Sequence, residues 1–131
     1  MTDHPHEGQP TTRPYRHIEV ERRGEAFCVR LRQTRLDELT IYELAGELRE
    51  LVTEEGCRKM ALSLGPESPE CMYSIFLAKL ITLQRVLREH GGGLILCHVR
   101  PVVREIFAAC CLEQLFCFRP DFEAALAEWA T

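Results

Sequence analysis

From His17 to Leu31 apolar and polar residues alternate. Ile18 and Val20 share one side against Glu19 and Glu21, and Phe27, Val29 and Leu31 alternate with Cys28 and Arg30. A period of two is the mark of strands, and Arg22-Arg23-Gly24 supplies a turn between them, so a hairpin is predicted. The period changes at residue 40. Thr40-Ile41-Tyr42-Glu43 has the form of a capping box, in which hydroxyl and carboxylate each satisfy a free helix amide. Ile41, Leu44, Leu48, Leu51 and Val52 then recur at helical spacing, and Gly56 suits the residue just past a helix end.

Met60, Leu62 and Leu64 form a short apolar run suited to a strand covered on both faces. A Pro-rich elbow follows, and a second helix is predicted to begin near Ser74. Its buried side holds Phe76, Leu77, Leu80, Leu83 and Leu87, with Lys79, Gln84, Arg85 and Arg88 on the other side. His90-Gly91-Gly92-Gly93 ends that helix and opens a strand at Leu94-Ile95-Leu96-Cys97. Pro101 fits the first turn of a third helix, with Val102, Val103, Ile106 and Phe107 inward. Leu115 to Phe118 reads as a last strand. Pro120 and Asp121 start a terminal helix that turns Phe122, Ala125, Leu126 and Trp129 inward. The order β-β-α-β-α-β-α-β-α predicts an α/β domain: a mostly parallel central sheet with one antiparallel edge strand and helices packed against it.

Length adds that 131 residues make one domain, and 46% apolar content is enough for a proper core. Residues 1–15, with three prolines and no apolar periodicity, read as a flexible leader; residues 16–131 hold the domain. A net charge of -4 leaves no basic stripe for nucleic acid. No apolar run approaches the ~18 residues of a membrane span, and no signal-peptide core opens the chain, so a cytoplasmic protein is expected. The seven cysteines form no Cys-x-x-Cys pair and lie mostly in apolar segments, which predicts reduced thiols without disulfides.

Candidate chemistry is sparse. Ser74 falls at a helix start beyond the carboxyl end of a strand, where α/β sheets present their sites, and it reads either as an N-cap or as a modified residue. Ser68 shares the elbow, whereas Ser63 lies inside a strand and is expected to be inaccessible. Glu43, Glu47, Glu50, Glu54 and Glu55 make one face of the first helix acidic, either a solvated face or a dock for a basic partner. Cys97-His98 invites a nucleophile reading, but neighbouring strand residues point to opposite faces. Cys110-Cys111 is expected to pack between elements rather than to pair or bind metal. His4 and His6 are the remaining histidine pair, and no metal site or cofactor is expected from any of these groups.

Two stretches resemble the STAS domain, the sulfate-transporter and anti-sigma factor antagonist family. Residues 91–116, GGGLILCHVRPVVREIFAACCLEQLF, look like the family's Gly-rich turn, strand, V-x-P-x-V-R-E-x-F helix and L…LF strand. The stretch ECMYSIFLAKLITLQRVLREHGG sits where the family has its strand-to-helix elbow and long second helix, and the resemblance runs from His17 to Trp129. In bacterial antagonists the elbow reads Asp-Ser-Ser-Gly or Asp-Ser-Thr-Gly, and its first hydroxyl is phosphorylated by an anti-sigma factor that is also a serine kinase. The unmodified form binds that kinase and frees the sigma factor. Laid over this chain the acceptor is Ser74, in a degenerate motif: Tyr73, Ile75 and Phe76 replace the acid, the second hydroxyl and the glycine.

The resemblance thus implies a non-enzymatic interaction module that regulates a sigma factor by partner switching. Met72, Tyr73, Ser74, Ile75, Phe76, Leu77, His98 and Glu43 would meet the anti-sigma factor. Two alternatives stand beside it: a constitutive binder or scaffold that has lost phosphorylation, and a small-molecule or thiol-based sensor using Cys97 and His98. The oligomeric state is left open.

Overall fold

Six strands form one sheet in the order β1-β2-β3-β4-β5-β6 in the computed structural model, which describes residues 9–10, 14–32, 36–65 and 74–130. The strands are β1 (Gln9–Pro10), β2 (Ile18–Arg23), β3 (Ala26–Leu31), β4 (Lys59–Ser63), β5 (Gly93–Cys97) and β6 (Cys117–Arg119). The helices are α1 (Glu38–Thr53), α2 (Ser74–Glu89), α3 (Pro101–Ala109) and α4 (Phe122–Ala130). From β2 onward this is the predicted order. Pairing is antiparallel for β1–β2 and β2–β3 and parallel for the rest, so β2 alone runs against the others. The short strand β1 falls within the expected leader and extends the sheet one strand past β2.

The sheet has two unequal covers. Phe27, Val29, Met60, Leu62, Leu94 and Leu96 point into the larger core with α1, α2 and α3. Cys28, Ala61, Ile95 and Cys97 point the other way, onto Phe122 and Ala125 of α4. This explains why β4 and β5 are nearly continuous apolar runs: with helices on both faces, no position is left to water. It also explains β3, where Ala26 to Val29 are all buried although the sequence alternates less cleanly there.

The cap of helix α1 lies three residues before the predicted box. Asp37 is the N-cap, its Oδ1 accepting from the Thr40 amide at 2.8 Å. Glu43 is thereby released from a capping role and pairs with His17 Nε2 at 2.9 Å. Beside it, the Glu47 carboxylate accepts from the backbone amides of Arg16 (2.8 Å) and His17 (2.9 Å), and the Tyr15 hydroxyl bonds to Glu55. Part of the acidic face is therefore a clamp on residues 15–17, with Tyr15 and His17 buried beneath.

Further along, Val102 is exposed, and α3 is seated by Val103 and Phe107 instead. Cys110 and Cys111 are exposed rather than packed, because α3 ends there: Cys111 is left-handed (φ 59°), donating to Ala108 O while Leu112 donates to Phe107 O. The last strand begins at Cys117; Leu115 stays outside it, its carbonyl accepting from the buried Gln84 side chain at 2.6 Å.

The turn from α2 into β5 rests on two glycines. Gly91 (φ 84°) closes the helix, and the Gly93 amide donates to Arg58 O at 2.8 Å, pressing the turn onto the approach to β4. A Cβ on Gly92 would lie 1.7 Å from that same carbonyl oxygen. Gly46, inside α1, is the opposite case, since a Cβ there meets nothing within 4 Å. We expect Gly92→Ala to destabilise the fold by about 3 kcal/mol or more and Gly46→Ala to stabilise it by ~0.5–1 kcal/mol. Urea unfolding of the two variants checks both signs.

Candidate functional site at the carboxyl ends of the parallel strands

Because β3, β4 and β5 are parallel and in register, their carboxyl ends meet on one level: Arg30 opposite Ser63, and Ser63 opposite Cys97. Ser63 is fully buried, as expected, yet it is not idle. Its hydroxyl donates to Gly65 O at 2.9 Å, and its oxygen lies 2.8 Å from His98 Nδ1. With the hydroxyl hydrogen directed to Gly65, the proton of the neutral imidazole belongs on Nδ1. His98 takes a left-handed backbone (φ 56°), an arrangement costing a non-glycine residue ~1–2 kcal/mol. Its ring sits edge-on to Phe122 at 5.3 Å, and the Arg30 guanidinium lies 4.6 Å from the centre of the other ring. Burial, and then the Arg30 charge, hold the imidazole below its ordinary value of 6.5.

Cys97 and His98 do not form a couple. The Cys97 thiol points to the α4 side and donates to Asp121 O at 3.5 Å, while His98 reaches Ser63. Burial pushes the Cys97 thiol up to about 12 and that of Cys28 up to about 11, so neither supplies a thiolate near neutral pH. This geometry lacks a nucleophile-base pair, the feature on which a thiol enzyme or sensor at Cys97 and His98 would depend.

Ser74 is the first residue of α2 and is exposed. The expected docking run after it divides by helix geometry: Ile75 is half-buried, but Phe76 and Leu77 are core residues, 1% and 4% exposed. Their side chains anchor α2 to the sheet and are withdrawn from any partner, a correction to the sequence reading. One turn of an amphipathic helix cannot show all of its residues to one neighbour. Met72, Tyr73 and Ser68 lie outside the described residues. Glu43 is held by His17, on the flank of α1 turned to residues 15–17. The structure thus brings His98 to Ser63, a pairing invisible in a sequence where they stand 35 residues apart.

Among the described residues no group of three or more His, Cys, Asp or Glu side chains is placed to hold a metal ion, and no helix is long and apolar enough to cross a membrane. No family model matches the sequence. Solved structures do. An anti-sigma-factor antagonist (STAS) domain protein from Planctomyces limnophilus superposes with a TM-score of 0.75 at 20% identity, covering 87% of this chain and 98% of that one. The Bacillus cell fate determinant SpoIIAA in its phosphorylated form gives 0.64 at 18% identity, covering 86% and 98%. A protein of the stressosome, a signal integration and transduction hub, gives 0.62 at 13% identity, covering 85% and 95%. The chain has the STAS fold. Its neighbours in that fold include anti-sigma factor antagonists and a component of a signalling hub.

Two measurements follow. His98 disfavours its charged form in the folded state, so the unfolded chain binds more protons below about pH 6.5. Stability is therefore expected to hold above that pH and to fall as pH drops from 6.5 through the lowered folded value. His98→Asn, which keeps a residue tolerant of the left-handed backbone, should remove that part of the slope in urea titrations at stepped pH. Separately, iodoacetamide at pH 8 should alkylate Cys110 and Cys111 in the native chain but reach Cys28, Cys57 and Cys97 only after denaturation, as read by mass spectrometry.

Proposed function

We propose that this chain is an anti-sigma factor antagonist-like interaction module that acts by partner switching, with Ser74 as its phosphorylated switch. The single observation that carries the reading is the placement of Ser74. It is an exposed hydroxyl at the start of α2, beyond the carboxyl end of β4, on a fold shared with SpoIIAA, which exists in a phosphorylated form. A phosphate there would add about -1.5 to -2 charge beside a helix N-terminus, which the free domain tolerates through the helix dipole. The same charge in the middle of a packed interface repels a docked partner. Ser74, the half-buried Ile75 and His98 form the described part of the proposed docking face; Met72 and Tyr73 complete it from the elbow. Phe76 and Leu77 act from beneath by fixing the helix start. Glu43 contributes from α1 as a secondary contact if its pair with His17 opens. The partner is an anti-sigma factor with serine kinase activity.

A second reading has its own support. Tyr73, Ile75 and Phe76 remove the acidic and glycine context of the serine, and one of the structural neighbours belongs to a signalling hub. On that reading the domain is a constitutive scaffold and Ser74 only starts the helix.

The two are separated with the anti-sigma factor encoded in the same genome, purified with ATP. Partner switching predicts a phosphopeptide carrying Ser74. It also predicts at least a tenfold loss of affinity for Ser74→Asp, about 1.4 kcal/mol, with Ser74→Ala binding but unresponsive to ATP. Equal affinity of Ser74→Asp and the unmodified chain points to the scaffold.

A further inference from the structure

The outer seam between α1 and α2 holds a hollow of about 200 Å³ that neither the strand-end site nor the switch uses. Tyr42, Ala45, Gly46 and Arg49 of α1 and Lys79 and Val86 of α2 line it, and among the described lining residues Arg49 and Lys79 are the charged ones. We infer that this groove docks an acidic amphipathic helix of a partner protein, with the apolar face of that helix in the seam and its carboxylates toward Arg49 and Lys79. The inference stands whether or not Ser74 is modified.

Three observations carry it. First, α1 is amphipathic in three sectors rather than two. Ile41, Leu44 and Leu48 are buried, and Glu43 and Glu47 are turned to residues 16 and 17. Leu39, Tyr42, Gly46 and Arg49, at spacings of three and four, form a third, exposed stripe whose Tyr42 ring is partly covered by Lys79. Leu39 is 67% exposed and Tyr42 49%, so the apolar strip runs on beyond the hollow toward the start of α1. Such spacing is what a helix lying along a groove engages.

Second, Gly46 has no reason within the fold. A glycine inside a helix is unfavourable by ~0.5–1 kcal/mol against alanine. Here the absent Cβ would touch nothing within 4 Å, so no neighbouring backbone requires its absence. What the glycine does is keep the seam low enough for another backbone to approach.

Third, the charge is of one sign. No acidic side chain lines the hollow, and among the described residues neither Arg49 nor Lys79 makes an ion pair; the Lys79 ammonium instead lies 4.7 Å over the Tyr42 ring. The whole chain carries -4, so this is a local positive seam on an acidic protein. Charge complementarity therefore selects an acidic segment and rejects a basic one.

The test uses the full chain labelled with nitrogen-15 and three synthetic peptides of about 18 residues, long enough to form helix. All share one Leu/Ala face and differ in carrying Glu, Gln or Lys on the other. The Glu peptide is expected to bind at least tenfold tighter than the Lys peptide and to shift amides of Tyr42, Gly46, Thr82 and Val86. The advantage should shrink in ~0.5 M salt, where the screening length falls to a few Å. Gly46→Trp, which fills the seam, should abolish the shifts; Thr82→Trp, placed on the other helix, serves if that variant does not fold. Arg49→Glu with Lys79→Glu should invert the preference. Equal affinity for the Glu and Lys peptides, or shifts mapping elsewhere, would overturn the inference. So would a concentration-dependent dimer that Gly46→Trp dissolves, because the occupant would then be a second copy of this chain.

Discussion

Burial of β3, β4 and β5 on both faces is the constraint on which everything else here depends. A strand covered by α1 to α3 on one side and α4 on the other has no solvent face on which to carry chemistry. Whatever the domain shows to the outside must come from strand ends, from the loops beyond them and from the outer sides of the helices. The register makes the strand ends coincide, which is how Ser63 and His98 come together and how Arg30 reaches the aromatic ring against which His98 packs. The same double cover buries Cys28 and Cys97 and raises their thiols out of reach of neutral chemistry.

Much of this was legible in the sequence because burial leaves periodicity. The helical spacing of Leu80, Leu83 and Leu87 and the apolar runs at Met60 and Leu94 led directly to the order of the elements. What was illegible has local causes. Asp37 displaced the Thr40 box because an acceptor three residues ahead of Thr40 reaches its amide first. Val102 looked inward because Pro101 sets where α3 starts but not which way it is rotated. Cys110 and Cys111 looked like packing residues in an apolar run, whereas the end of α3 turns the chain outward at that point. At the site, exposure of Ser74 followed from its position at a helix start. The burial of Phe76 and Leu77 follows from the same helix and removes them from the surface that the family resemblance had given them.

The functional picture has a rigid part and an exposed part. Phe76 and Leu77 fix the first turn of α2 and Gly92 fixes its exit, so the helix between these anchors is held firmly on the sheet. The clamp of Glu43 and Glu47 on residues 16 and 17 ties the start of the domain to a flank of α1 away from the α1–α2 seam. Partner contact at the strand ends and contact along the seam use different residues, so one does not exclude the other.

Hydrogen–deuterium exchange of the chain alone and mixed with the proposed anti-sigma factor partner tests the docking face most directly, because it locates contact without altering a residue. Added protection is predicted at the start of α2 from Ser74 and around His98 beyond β5. Protection confined to α4 or to the β1–β2 edge, with Ser74 and His98 unchanged, would contradict it.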